Sequence, residues 1–171
     1  MRRLTLLRHA KSSWEEGDMP DRLRPLARRG RLAAPLMGAW LADVGLIPDA
    51  VLCSDSARTR ETWDRLRRLL PRQPDAQFRK RLYQALPRTL LAEARTAPAS
   101  ASTLMMIGHE PGLSGFLSRL VAEAPAPDCA RALEKFPTAA AAVVEFDLED
   151  WADLALETGR FTRFVIPREL V

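Results

Sequence analysis

The sequence predicts a three-layer α/β fold, in which helices pack on both faces of a central sheet. Short apolar runs that stop abruptly at polar residues alternate along the chain with longer segments in which apolar residues recur at helical spacing. A length of 171 residues, without an internal repeat or an evident boundary, suits one domain. We therefore expect a single domain over residues 1–171.

Two of the predicted strands end in a histidine. The apolar run Leu4–Leu7 is followed by Arg8 and His9, and the run Thr103–Ile107 leads to His109. These are the only two histidines in the sequence, and open α/β sheets bind their ligands at such strand ends. The other predicted strands are Ala50–Cys53, Phe78–Leu82, Thr138–Phe146 and Phe161–Ile166.

The predicted helices alternate with these strands. An apolar stripe over Ala33–Val44 predicts a helix that either starts near Pro35 or is kinked there. The next helix has N-cap candidates in the segment 54–56, carries Arg58 in its first turn and breaks at Pro71. Two further helices are predicted over Pro87–Arg95 and from Pro111 to Val121, the second ended by Ala124–Pro127.

Composition excludes membrane-spanning proteins and favours a cytoplasmic one. No apolar run approaches the ~20 residues of a membrane span, and the apolar segment after Arg2 and Arg3 is too short for a signal-peptide core. Cys53 and Cys129 lack a C-x-x-C spacing, and no disulfide is expected in the cytoplasm.

The net charge of +4 and the pI of about 9.7 raise the alternative of nucleic-acid binding. Many of the basic residues lie in Arg65–Arg81, but leucines interrupt them and few aromatic residues are interleaved. We therefore interpret this segment as a solvated helix face and expect no nucleic-acid partner. Attraction of a phosphorylated or acidic partner is the second interpretation.

Arg8, His9, Arg58 and His109 each follow a predicted strand within a few residues. If the strands are parallel, their carboxyl ends share one edge of the sheet and the four side chains converge. Such a cationic pocket suits a phosphoryl group, because guanidinium forks match its oxygens. Two histidines without paired acids or thiolates fall short of a metal site. A neutral imidazole is a competent nucleophile toward phosphorus, but the sequence alone does not decide which histidine attacks.

The segment Leu7-Arg8-His9-Ala10 resembles the signature of the histidine phosphatase (phosphoglycerate mutase-like) superfamily, and in particular its SixA-type phosphohistidine phosphatases. The match continues in order along nearly the whole chain, which makes it far more specific than any single motif. Its other segments are Arg24-Pro25-Leu26 with Gly30, Ser54–Thr62, Leu82–Ala85, Gly108–Leu113 and Phe136–Ala139.

The resemblance implies a mostly parallel sheet with one antiparallel edge strand, and a phosphatase that needs no cofactor. It implies that His9 attacks phosphorus and carries the phosphoryl group transiently, and that Arg8 and Arg58 bind the phosphoryl oxygens. His109 would donate to these oxygens in the transition state. The implied partner is a phosphohistidine-bearing protein of signal transduction, or else a small phosphorylated substrate.

Some residues near these motifs have two possible roles. Arg58 fits the spacing Ser-x-x-x-Arg-x-x-x-Thr and Arg60 does not. Ser54 is a possible site residue, although a helix N-cap is its simpler role. Lys11 either enters the pocket or is solvated. It opens a polar loop that is predicted to fold over the mouth of the site. Thr138 either touches phosphate or starts a strand.

Core or lid packing is expected of Trp14, Trp40, Trp63 and Trp151.

One residue departs from the pattern of the family. Many relatives have a Glu or Asp shortly after the strand near Leu82 as a general acid, whereas Gln84 stands here and cannot donate a proton in that way. An alkoxide leaving group needs a proton, but the imidazole of phosphohistidine can be protonated beforehand on its other nitrogen and depart neutral. The missing acid therefore favours phosphohistidine, unless a loop residue replaces it. The candidates for that replacement are Glu15, Asp18 and Asp21.

The sequence thus predicts a phosphatase that acts on protein phosphohistidine. A phosphatase for a small phosphometabolite or nucleotide would use the same residues. From another class, the alternative is a module that binds phosphohistidine without turnover, and the intact set of two arginines and two histidines argues against it.

Overall fold

The apolar runs form a mixed six-stranded sheet within the residues that the structure, a computed structural model, describes: 1–15, 17–122 and 126–171. Residues 124 and 125 of the predicted helix end at 124–127, and Glu16 of the predicted loop, lie outside the described residues. The strands are β1 (Arg2–Arg8), β2 (Ala50–Ser54), β3 (Ala76–Arg79), β4 (Thr103–Gly108), β5 (Ala141–Phe146) and β6 (Arg160–Val165).

The strands lie in the order β3-β2-β4-β1-β5-β6. The first four are parallel, and β5 is antiparallel to both of its neighbours, β1 and β6. The predicted fold class and the mostly parallel sheet are therefore confirmed. The antiparallel strand lies one place inside the edge of the sheet, and the edge position is taken by β6.

Helices cover both faces of this sheet and complete the three layers. The helices are α1 (Arg28–Asp43), α2 (Ala57–Arg67), α3 (Pro87–Ala94), α4 (Gly112–Leu120) and α5 (Pro127–Glu134). Buried side chains of α1 and α2 join one apolar cluster, and those of α3, α4 and α5 join another on the opposite face. Short 3₁₀ turns occur at Asp21–Leu23, Lys80–Leu82, Trp151–Asp153 and Pro167–Leu170.

The central strands are apolar on both faces, which explains why their sequences are continuous apolar runs. Leu4 and Leu6 of β1 pack in the cluster with α3, α4 and α5, whereas Leu7 packs in the cluster with α1 and α2. All six residues of β4 are buried. This pattern is typical of parallel strands covered by helices on both sides.

Three elements differ from the sequence prediction. The strand predicted over Phe78–Leu82 is shifted to Ala76–Arg79, because Leu82 is buried in the 3₁₀ turn that follows. The prediction that Thr138 starts a strand is wrong, since β5 begins at Ala141. Helix α5 was not predicted, because Pro127 suggested a break. It occupies instead the first helical position, where proline is tolerated.

The segment after β1 is held against α1 by a close backbone approach. The Ala27 N–H donates to the Lys11 carbonyl at 2.8 Å, and a Cβ atom at Gly30 would lie 2.2 Å from the same carbonyl oxygen. Any side chain at position 30 would therefore push Lys11 away from α1. The helix itself begins at Arg28 and continues through Pro35.

The arginines of the segment Arg65–Arg81 are paired with acids. Asp64 binds Arg67 and Arg68, and Glu93, which is buried, binds Arg79 and Arg81. Further pairs join Arg65 to Glu61 and Arg72 to Asp49. Much of the positive charge of this segment is therefore balanced locally. The interpretation as a helix face is wrong for most of the segment, because α2 ends at Arg67 and a turn, β3 and a 3₁₀ turn follow. In the described residues no helix has the length and apolar character needed to cross a membrane.

Candidate active site

The carboxyl ends of β2, β4 and β1 lie side by side and bring the four predicted residues together. Arg8 is in register with Gly108, the residue before His109, and the rings of His9 and His109 lie 5.4 Å apart between centroids. Arg58, in the first turn of α2, completes the set. All four side chains line one cavity of about 320 Å³, as the strand-end prediction required.

His9 is buried and is held in one orientation by the backbone. Its Nδ1 lies 2.7 Å from the carbonyl oxygen of Ala10, to which it donates a hydrogen bond as the protonated ring nitrogen. The Ala10 N–H in turn donates to Thr62 Oγ1 at 3.0 Å. The pKa of His9 is lowered to about 4, mainly by burial and also by nearby guanidinium groups, while the bond to Ala10 acts in the opposite direction. At neutral pH His9 is therefore an uncharged imidazole with its lone pair on Nε2.

His109 is held by side chains on both ring nitrogens. Nε2 lies 2.8 Å from Ser54 Oγ, and Nδ1 lies 3.4 Å from Arg58 Nη2. Because a guanidinium group can only donate, Nδ1 is the acceptor and the ring proton lies on Nε2, directed at Ser54. Burial lowers the pKa of His109 to about 3, with His9 and Arg58 acting in the same direction.

Ser54 therefore orients His109, and it does not line the cavity. The N-cap of α2 is Ser56, whose side chain accepts from the N–H of Thr59. The interpretation of Ser54 as the N-cap is thus wrong, because Ser54 lies at the end of β2 with its hydroxyl directed at the imidazole.

Arg8 and Arg58 differ in which of their N–H groups already donate a hydrogen bond within the protein. Arg58 donates from Nη1 to the Asp21 carbonyl at 2.8 Å and from Nη2 to Asp21 Oδ2 at 3.1 Å. Arg8 donates from Nη1 to the Phe136 carbonyl at 3.0 Å. Its Nε–H is buried and has no partner within the described residues. Arg8 thus keeps a desolvated donor unused, which costs about 1–3 kcal/mol until a ligand oxygen accepts from it.

Asp21, which the sequence offered only as a possible general acid, joins Arg24 and Tyr83 to Arg58. Asp21 accepts from Arg24 at 2.8 Å and from the Tyr83 hydroxyl, in addition to Arg58. The Tyr83 ring packs edge-on against His109, with 5.3 Å between centroids. Arg24 and Tyr83 belong to segments that resemble the family motifs, and this resemblance could have indicated that they lie near the site. Asp21 had only the weak signal of an acid in the loop after His9.

The remaining lining residues come from loops. Lys11 lines the cavity, which settles its location but not its role, and Thr138, Gln84 and Glu110 line it as well. Trp14 lines the mouth with its side chain 71% exposed and its ring over the Arg24 guanidinium, 3.2 Å from the ring centroid. The expectation of lid packing fits Trp14 in part. Trp63 and Trp151 are core residues, and Trp40 is half-buried.

Both acids that line the cavity accept hydrogen bonds from neighbouring donors. Tyr83, Arg24 and Arg58 keep the pKa of the Asp21 carboxyl well below its usual range. Glu110 accepts from the Ser114 N–H and hydroxyl, each at 2.7 Å, at the start of α4. Neither acid is arranged to give up a proton. No cluster of three His, Cys, Asp or Glu that could hold a metal occurs in residues 1–15, 17–122 and 126–171.

Comparison with protein families gives the site its context. Residues 4–109 match the model of the Histidine phosphatase superfamily (branch 1). The chain belongs to the histidine phosphatase superfamily. The protein Rv1276c of Mycobacterium tuberculosis H37Rv is 37% identical over 165 residues, which cover 95% of this chain and 100% of that protein.

Solved structures confirm the resemblance to the SixA-type histidine phosphatases. A candidate phosphohistidine phosphatase SixA from Nakamurella multipartitia superposes with a TM-score of 0.83 at 30% identity, covering 97% of this chain and 96% of that one. A candidate SixA from Agrobacterium tumefaciens superposes with a TM-score of 0.79 at 28% identity, covering 97% and 98%. The similarity therefore extends beyond residue 109 to the last strands of the fold.

The two histidines of this histidine phosphatase should be neutral in solution and carry their protons on opposite nitrogens. We expect the Nδ1–H form for His9 and the Nε2–H form for His109, with both pKa values far below the ~6.5 of a free histidine. Long-range ¹H–¹⁵N NMR spectra over a pH titration measure both properties. With only two histidines, the spectrum of the unmodified chain contains only their signals, and His109→Gln assigns them.

The titration also has a consequence for stability. A depressed pKa means that the unfolded chain binds more protons than the folded one between about pH 4 and ~6.5. The free energy of unfolding should therefore decrease as the pH falls through this window. A histidine that titrates near 6.5 in the folded protein would contradict the buried, neutral state.

Proposed function

We propose that the chain is a phosphatase that removes the phosphoryl group from protein phosphohistidine, through a covalent intermediate on His9. One observation carries the proposal: a neutral imidazole lies between guanidinium groups, in a cavity where Asp21 accepts from three donors and Glu110 accepts from Ser114. Such a site can accept and transfer a phosphoryl group, but it offers no proton to a poor leaving group.

The different hydrogen bonding of the two imidazoles supports His9 as the nucleophile. The Nδ1–H of His9 donates to Ala10, and its Nε2 has no partner in the part of the chain that the structure describes. In His109 both nitrogens are engaged, by Ser54 and by Arg58. This difference supports attack by His9 rather than by His109, a choice that the sequence alone left open.

In the first step, the lone pair on His9 Nε2 forms a bond to phosphorus while the bond from phosphorus to the substrate imidazole breaks. The electron pair of that bond returns to the leaving nitrogen, and the substrate ring departs neutral because its other nitrogen holds a proton. In the second step, water adds to phosphorus, the bond to Nε2 breaks, and the phosphate leaves as H₂PO₄⁻. His9 then returns to its starting state.

The cations would stabilise the charge on the transferring group. Arg8 would use its unpartnered Nε–H, and Arg58 those of its N–H groups that Asp21 does not engage, to donate to the phosphoryl oxygens. His109 can donate from Nδ1 only when that atom gains a proton, and a bound phosphoryl dianion favours this because an anion raises the pKa of a neighbouring imidazole. Lys11 is placed to add a fourth cation.

The proposal treats residues 1–171 as one catalytic domain that acts without a metal or cofactor. Residues from Arg8 to Thr138 line the same cavity, so the site depends on both halves of the chain. The partner would be a phosphorylated signalling protein. A cytoplasmic setting fits Cys53 and Cys129, both of which are buried and free.

Phosphate release from matched substrates tests this function. We expect a histidine-phosphorylated peptide to be hydrolysed faster than a sugar phosphate or a nucleoside monophosphate, with no loss of rate in EDTA. Preferred hydrolysis of the sugar phosphate or nucleotide would instead establish the small-molecule alternative. Saturable binding of the peptide without phosphate release would establish the non-catalytic module.

A further inference from the structure

A second cavity of about 380 Å³ opens beside the candidate active site. It is formed by the first half of α1, the loop before β5 and the turn after β6. Lys11 and Thr138 line both cavities, so the two adjoin. We refer to this second cavity as the basic groove.

The groove has an apolar floor and a cationic rim. Leu32, with 62% of its surface exposed, and Leu36, Pro137 and Ile166 supply apolar surface. The rim cations are Lys11, Arg29, Lys135 and Arg168, and the lining contains no acidic side chain.

These rim cations differ from most other basic residues near the site. None of the four forms an ion pair with any acid in the part of the chain that the structure describes, and all four are exposed. The arginines of the segment Arg65–Arg81, in contrast, are balanced by neighbouring carboxylates. Positive potential that is not neutralised within the chain is therefore available at the groove.

We propose that the basic groove binds an acidic segment of the phosphorylated protein, next to the residue whose phosphoryl group enters the active site. An apolar side chain of that segment would cover Leu32 and Leu36, while its carboxylates face the rim cations. A cavity of this volume holds a few side chains. Because Lys11 and Thr138 border both cavities, one polypeptide can lie across the groove and the active site. This proposal rests on the proposed function.

Two phosphohistidine peptides that differ only in Glu or Gln beside the phosphorylated residue, with the same apolar neighbour, test the groove. We expect kcat/KM to be about tenfold higher for the acidic peptide, mainly through KM, with the difference shrinking at high salt. In the variant R29E/K135E/R168E this preference should disappear, while kcat/KM for phenyl phosphate, which is too small to reach the groove, changes less than twofold.

The matched control is R88E/R119E/R163E, which changes the net charge by the same amount at exposed positions outside both cavities. It should keep the preference for the acidic peptide. Equal rates for the two peptides in the unmodified protein, or a preference that survives in R29E/K135E/R168E, would overturn the proposal.

Failure of the proposed function has a different signature. If phenyl phosphate is hydrolysed but neither peptide is, the phosphohistidine assignment is wrong, and the unphosphorylated peptides then test the groove as inhibitors of phenyl phosphate turnover. Inhibition by the acidic peptide alone, lost in R29E/K135E/R168E, supports the groove. Inhibition by neither peptide, or equal inhibition by both, rejects it.

Discussion

Replacement of His9 by alanine should reduce phosphate release by a factor on the order of 10⁴ or more, because no other group can take over covalent catalysis. His9 is the imidazole whose Nε2 keeps its lone pair, since its Nδ1–H donates to the Ala10 carbonyl. The unmodified protein should also carry a trapped phosphoryl group that is labile in acid and stable in alkali. The measurement is phosphate release together with peptide mapping of the trapped label.

The matched variant for this experiment is His109→Ala. It should lower kcat more than it weakens binding of inorganic phosphate, because the help of His109 is expected mainly in the transition state. His9→Asn, whose amide can still donate toward the Ala10 carbonyl, guards against a folding defect in His9→Ala. Trapped label on His109, or turnover retained in both His9 variants with normal thermal unfolding, would reverse the assignment.

The second large effect should be a steep dependence of kcat/KM on the pKa of the leaving group. Asp21 accepts from three donors and Glu110 from Ser114, so neither is available as a general acid. Since general acid catalysis contributes typically about 10²–10⁴-fold, alkyl phosphates should fall behind aryl phosphates and phosphoramidates by at least that factor. The measurement is the slope of log(kcat/KM) against leaving-group pKa.

Gln84→Glu should make that slope shallower by improving alkyl esters. Gln84 lines the cavity, so a carboxyl group there would reach the same space. The guanidinium groups of the cavity oppose protonation of the new carboxyl, and the gain should therefore be largest at acidic pH. Asp21→Asn is the control and should leave the slope unchanged. A flat slope in the unmodified protein, or a slope that steepens in Asp21→Asn, would identify a carboxyl group that already donates the proton.

The sequence could predict the residues that strands deliver to the site, but not those that loops deliver. Arg8, His9 and His109 follow continuous apolar runs, and parallel pairing places the ends of such runs at one edge. Asp21 reaches Arg58 only through the path of the loop after β1, and no periodic pattern encodes that path. The same holds for the Phe136 carbonyl that binds Arg8, because a backbone acceptor leaves no mark on residue identity.

Errors in the elements have equally local causes. Leu82 extended the apolar pattern of β3, although its burial comes from a 3₁₀ turn after the strand. Pro127 was interpreted as a break, whereas proline suits the first position of a helix as well. A serine does cap helix α2, but it is Ser56 and not Ser54. The sequence could not separate the two, because the role of Ser54 depends on the position of His109 in the folded chain.

The reversed direction of β5 affects when the site can form during synthesis. Both histidines and Arg58 have been made once the chain reaches residue 109, yet Arg8 then still lacks the carbonyl of Phe136. β1 also lacks one of its two neighbouring strands until β5 has been made and pairs with it. Because β5 is antiparallel, its amino end meets the carboxyl end of β1, so the segment before it completes the site. A growing chain therefore acquires the charged residues early and their final arrangement only with its last third.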